Sequence, residues 1–195
     1  MKPRASFFLF APGGVPIYAH ATLPLGLALA SQFSWQPYTW LGLIVVILVH
    51  EGGHALLLHR YRLPVLAIVL HGFGGECRTV SWLSPWQETV VAWGGVLAQF
   101  ALLVVVTGIG SLGLWPRRFV ASDFYFALTA VNFLIAVFNL LPFGNLDGRR
   151  AWRILWFGVL RAKHSWLASR LSRAVSRRTR STSVVTSLDK YRRRR

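Results

Sequence analysis

His50, Glu51 and His54 stand in the sequence His50-Glu-Gly-Gly-His54, an H-E-x-x-H pattern within an apolar stretch. On a helix each residue advances by about 100°, so the two histidines lie about 40° apart and both imidazoles can reach one ion. Glu51 lies about 60° from His54 on the same side. It can act as a general base on a water at the ion without being a ligand itself. His59 falls about 180° from His50 and is excluded by the same arithmetic.

A zinc site of this type needs a third protein ligand and an open position. Cys77 is the single cysteine, so neither an intrachain disulfide nor a cysteine cluster is available, and the third ligand must be a histidine or an acid. Asp147 is the best placed. It lies in Asn139-Leu-Leu-Pro-Phe-Gly-Asn-Leu-Asp147-Gly148, where Pro142 removes a helical hydrogen bond and Gly144 and Gly148 allow tight backbone. The chain should unwind there and present Asp147 from a non-helical segment. His20 and His71 each stand alone and read as hydrogen-bonded structure. Asn132 reads as a tie between helices, and Asn139 as a residue of the site.

The elements around these residues are those of a membrane protein. Three stretches approach the roughly 20 apolar residues that a bilayer crossing needs: Leu41 to Leu58, Val90 to Leu114 and Phe124 to Phe143. Ile17 to Phe33, interrupted by His20 and Pro24, is counted as a fourth. Between the second and third, Pro64 to Leu70 is β-branched and apolar, and His71-Gly-Phe-Gly-Gly75 follows as a turn, which together suggest a small hairpin against the membrane. The expected fold class is an all-α integral membrane protein with about four transmembrane helices and a possible membrane-associated β-hairpin. Ionisable residues inside a membrane helix cost about 3 kcal/mol each at its centre, so the three in His50 to His54 point to function.

Composition agrees. Of 195 residues 54% are hydrophobic and nine are Trp, while only 14% are charged, against roughly 25% in a typical soluble protein. Twenty-two Lys and Arg face six acids. Fifteen of those basic residues fall between Arg149 and Arg195. The expected organisation is a core over 1–148, an interfacial helix within 149–168 and a basic, disordered tail over 169–195. On a chain with membrane spans the tail suits anionic lipid rather than nucleic acid. The apolar run Phe7 to Ala11 stops at Pro12-Gly13-Gly14, short of a signal-peptide core, and reads as a cytoplasmic arm.

H-E-x-x-H in one membrane helix, paired with N-x-x-P-x-x-x-L-D-G at the end of a later one, resembles the site-2 protease family. The second motif matches at Asn139, Pro142, Leu146, Asp147 and Gly148. Gly74-Gly75 resembles the glycine pair that follows the catalytic helix in the family. Gln99 in Trp93-Gly-Gly-Val-Leu-Ala-Gln99 stands where family members usually carry Asn in a G-P-x-x-N-like stretch, and Arg149 replaces a common glycine. The resemblance covers about residues 15 to 150 and implies a minimal form without a PDZ insertion or C-terminal regulatory domain. It also implies a zinc-dependent intramembrane endopeptidase, with one Zn2+ on His50, His54 and Asp147 and Glu51 as catalytic base. The expected partners are a membrane-protein substrate and the lipid bilayer. The expected location is a multi-pass position in a bacterial inner membrane with both termini cytoplasmic. The competing class is an inactive membrane scaffold or metal-binding protein that keeps the ligands; the intact Glu51 speaks against it.

Overall fold

A computed structural model describes residues 4–159 except 81 and 121. The chain divides into two units, one reaching to Trp152 and a second from Arg153 onward. In the second, residues 153–159 are helical, and the rest of the expected interfacial helix and the basic tail lie outside the described residues.

The first unit is built on two long helices. One, α2, spans Pro37–Arg60, and is preceded by the short α1 at Leu23–Ala30. The other, α3, spans Pro85–Ser111. Both are long and apolar enough to cross a membrane. Proline at the first helical position opens each, where its missing N–H has no intrahelical role. A capping box sharpens the start of α3. Ser84 Oγ accepts from the Gln87 N–H at 3.3 Å, and Gln87 Oε1 accepts from the Ser84 N–H at 2.9 Å.

The third apolar stretch is one helical run, Asp123–Asn139, with a π turn in its middle. After α4 (Arg117–Val120), α5 (Asp123–Phe126) leads into a π turn over Ala127–Val131 and then α6 (Asn132–Asn139). The helical run ends at Asn139, four residues before the expected boundary at Phe143. A last short helix, α7, covers Gly148–Ala151.

Two expectations need correction. Ile17 to Phe33 is not a membrane helix: it holds the strand β2 (Ile17–His20) and then α1, whose eight residues rise only about 12 Å. Nor is the fold all-α. The hairpin of β3 (Val65–His71) and β4 (Gly74–Thr79) is present, and it extends into a four-stranded sheet in the order β1-β2-β3-β4, with β1 at Ser6–Phe10. The supposed arm is thus an edge strand antiparallel to β2. β2 and β3 are parallel, so they need a crossover, which α1 and α2 supply.

Two buried clusters join these layers. Ile17, Leu23, Ile68 and Leu70 pack the sheet against α1 and α2, with Ile44, Ile47 and Leu48 at their margin. Val46, Val106 and Leu128 pack α2, α3 and the π turn together. The outward faces are apolar as well. Leu56, Val104, Val105 and Leu134 are each more than half exposed. In water such a surface would be an aggregation liability, whereas lipid solvates it.

Candidate active site

His50, Glu51 and His54 are buried on the face of α2 that meets α3, while His59 is exposed. Close helix approach makes this possible. A Cβ on Gly53 would run into the Gly94 carbonyl, so the two backbones touch. Beside them, a Cβ on Gly95 would stand 2.6 Å from both His50 Cε1 and His54 Nε2. Gly95 leaves the space that the imidazoles occupy.

Asp147 comes from the other end of the chain. The segment after α6 turns with Gly144 at φ +64° and delivers Asp147 as the N-cap of α7. Two indoles hold the turn: Trp152 Nε1 donates to the Leu140 carbonyl at 2.6 Å, and Trp93 Nε1 donates to the Ala151 carbonyl at 3.1 Å. Gly148 packs directly on the Leu140 and Leu141 backbone, where a side chain would collide.

The three side chains converge. Asp147 Oδ2 lies 2.9 Å from His50 Nε2 and 3.1 Å from His54 Nε2, and the two Nε2 atoms are 3.1 Å apart. Ligands at about 2.0 Å from a tetrahedral zinc lie roughly 3.3 Å from one another, so the triangle is close to the size such an ion needs. The ring nitrogens on the far side have partners: His54 Nδ1 lies 2.7 Å from the Val91 carbonyl and His50 Nδ1 lies 2.8 Å from Gln99 Oε1. A carbonyl oxygen only accepts, so His54 donates from Nδ1 and turns the Nε2 lone pair toward Asp147. Lone pairs and a carboxylate facing one another require a cation, or protons, between them. Two imidazoles and an anionic carboxylate are a donor set that zinc takes, and they form the metal-competent group among the described residues.

Glu51 stands beside this triangle and outside it. Its carboxylate accepts from the Cys77 backbone N–H and packs on Gly75, whose added Cβ would fall 2.6 Å from Oε1. Burial, with help from Glu51 and Glu76, pushes the Cys77 thiol up to about 12, so it stays protonated at neutral pH. A cavity of about 990 Å3 opens onto the group and is lined by α2, by the turn and first half of β4, and by Asn139, Asn145 and Asp147.

Other expectations resolve in the same region. His20 bonds Thr22 Oγ1 at 2.8 Å, and His71 Nδ1 accepts from the Phe73 N–H at 3.3 Å. Asn139 lines the cavity, and Asn132 ties α6 to α3 through Gln99. Sequence reasoning missed Gln99 as the partner of His50 and Gly95 as the residue that makes room, and it singled out Gly75 only through the resembling glycine pair. A buried amide in an apolar helix was the available signal for Gln99; Gly95 gave none without knowledge of its neighbours.

An H-E-x-x-H helix packed among membrane-type helices, completed by an aspartate from a later segment, defines a membrane-embedded metalloprotease fold. Known proteins agree. No family model matches the chain. Zinc metalloprotease MJ0392 of Methanocaldococcus jannaschii is 24% identical over 170 residues, covering 84% of this chain and 48% of that protein. The "Putative zinc metalloprotease sll0528" of Synechocystis sp. is 30% identical over 167 residues, covering 73% of this chain and 42% of that protein. The chain therefore spans about half the length of the curated relatives it matches. The solved Site-2 Protease from Methanocaldococcus jannaschii superposes with a TM-score of 0.61 over 77% of this chain and 71% of that one, at 24% identity. The chain thus shares the fold of that site-2 protease and is similar in sequence to zinc metalloproteases.

Proposed function

We propose that the chain is a zinc-dependent endopeptidase that cleaves membrane-embedded protein substrates, with His50, His54 and Asp147 as ligands and Glu51 as general base. The observation that carries this reading is the convergence of three ligand atoms from segments 93 residues apart, with a buried carboxylate beside them at the wall of a cavity. Zinc held there would supply a Lewis acid and lower the pKa of water, so that a nucleophile for a peptide carbonyl is available near neutral pH. The chain's own groups do the rest. Glu51 takes the proton of the attacking water and passes it to the leaving amine. The Cys77 N–H holds the carboxylate in place for both transfers. His50, His54 and Asp147 all line the cavity, so a substrate there can reach the site.

A transmembrane substrate hides its carbonyls in its own helix and must unwind to present one. β4 is an edge strand of the sheet and its residues 74–77 line the cavity beside Glu51. An unwound substrate segment can pair along it, which would bring the scissile bond toward the ligands.

The proposed setting is multi-pass in a bacterial inner membrane, with the ligand-bearing end of α2 toward the cytoplasm. Arg60, Arg62 and Arg78 follow that end, and the connection before α2, Ser31 to Gln36, carries no charge. The N-terminal strand β1 belongs to the same sheet as the basic hairpin, which supports a cytoplasmic N-terminus. The tail is assigned to anionic lipid. Metal analysis of the purified protein, with cleavage of a model transmembrane substrate by wild type and Glu51→Gln, tests the reading. Zinc bound at one per chain with no cleavage by the wild type would leave a metal-binding membrane protein instead.

A further inference from the structure

The hydrogen bonds behind His50 form a directed series that starts at a backbone group. The Gln99 backbone carbonyl accepts from Asn132 Nδ2 at 2.9 Å. A carbonyl has no hydrogen to give, so the nitrogen of the Asn132 amide must be the atom facing it. The Asn132 oxygen therefore faces the Gln99 side chain and accepts from Gln99 Nε2 at 3.1 Å. That leaves Gln99 Oε1 facing His50 Nδ1 at 2.8 Å. An amide oxygen only accepts, so His50 donates from Nδ1 and keeps the lone pair on Nε2. Polarity thus passes from the main chain through two side-chain amides to the imidazole.

Burial protects the series. Gln99 and Asn132 are each 0% exposed, so water offers neither amide another partner. Turning either amide over would set two donors or two acceptors against each other, at the cost of buried hydrogen bonds. The backbone is shaped for the contact as well. Asn132 comes directly after the π turn, and its own N–H bonds the Ala127 carbonyl five residues back. A π turn takes up an extra residue and rotates the next turn of helix, and such turns are frequent at functional sites. His54 needs no such device, because its partner is a backbone carbonyl directly.

We propose that Gln99 and Asn132 are positioning residues that lock His50 in the Nδ1–H tautomer and so commit its Nε2 to the metal, with Asn132 acting two hydrogen bonds away from the ligand atom. This rests on the reading of His50, His54 and Asp147 as a metal site and extends it. With either amide reversed, a nitrogen would face Nδ1 and the proton would move to Nε2, where it competes with the ion.

The test uses the full chain in detergent, labelled with 15N-histidine. Two-bond proton–nitrogen correlation reads the His50 tautomer in metal-stripped protein carrying Asp147→Ala, so that no carboxylate draws a proton to Nε2. His50→Gln assigns the signal, and competition with a chromophoric chelator reads zinc affinity with Asp147 in place. With Gln99 and Asn132 intact, His50 should show Nδ1–H. Asn132→Leu should mix the two tautomers and weaken zinc binding by about tenfold, in the range found when a partner of a ligating histidine is removed. The carboxylate introduced by Gln99→Glu has no nitrogen to present, so it accepts from Nδ1 whatever its other oxygen faces. In that background Asn132→Leu should change zinc affinity by less than about twofold. A merely structural Asn132 would weaken zinc equally in both backgrounds with the tautomer unchanged, and that result overturns the proposal. Should Asn132→Leu not fold, Gln99→Leu decides the matter: Nε2–H at His50 with weakened zinc supports the lock, and a retained Nδ1–H overturns it. A chain that shows the lock and, with Asp147 in place, binds zinc but cleaves nothing would remove the protease reading and leave the relay standing.

Discussion

Two carboxylates stand beside the same two imidazoles, and their placement separates their roles. Asp147 Oδ2 is within 3.1 Å of both Nε2 atoms, whereas Glu51 belongs to no such triangle and is held by the Cys77 N–H instead. Glu51→Gln keeps the shape and every ligand but removes the base. It should retain zinc at wild-type occupancy while cleavage falls by about 10²-fold or more, read by metal analysis and turnover on one preparation. Asp147→Ala takes away a ligand and should lose the metal first, with activity lost in parallel. Full zinc occupancy in Asp147→Ala would move the third ligand elsewhere.

Helix approach governs the next scale. Gly53, Gly94 and Gly95 let α2 and α3 touch, and the imidazoles fill the gap that remains. Gly95→Ala must displace His50 or His54, because its new methyl would stand 2.6 Å from each. Overpacking of this kind costs about 1–3 kcal/mol, and zinc affinity should fall together with thermal stability. Gly52→Ala is the matching control: nothing lies within 4 Å of its added Cβ, so both measurements should stay near wild type. The turn between α6 and α7 shows the same economy. The Leu140 carbonyl at its start bonds the Trp152 indole, and the Ala151 carbonyl at the end of α7 bonds the Trp93 indole, so the backbone groups on either side of the turn have partners.

For the whole molecule the property to measure is which end of α2 faces the cytoplasm. Trp82 is fully exposed between the sheet and α3, which makes it a suitable reporter position. The native Cys77 is a quiet background, since its thiol, pushed up to about 12, carries almost no thiolate at neutral pH. Trp82→Cys in intact cells should stay unlabelled by an impermeant external maleimide and react after lysis. Labelling before lysis would invert the proposed orientation. Removing residues 169–195 should weaken binding to anionic vesicles while leaving cleavage of a soluble peptide within about twofold of wild type, because the tail is assigned to lipid rather than to chemistry.

Much of this protein was legible in its residues. Three ionisable groups at helical spacing in an apolar stretch have few purposes besides chemistry, and Pro142 with Gly144 and Gly148 marked where the later segment would open to present Asp147. The hairpin was readable from its β-branched run and glycine turn. Other features depend on neighbours distant in sequence. Ile17 to Phe33 is apolar enough for a helix, yet its first residues are strand, because β3 offers them a parallel partner that no local pattern announces. Phe7 to Phe10 became an edge strand for the same reason. The partner of His50 lies 49 residues away at Gln99, and Asn132 lies a further 33 beyond. By itself the sequence determined which residues could bind a metal and the segments that carry them. Only the tertiary structure decided their tautomers, their spacing and what surrounds them, because hydrogen-bond polarity and close packing arise where separate segments meet.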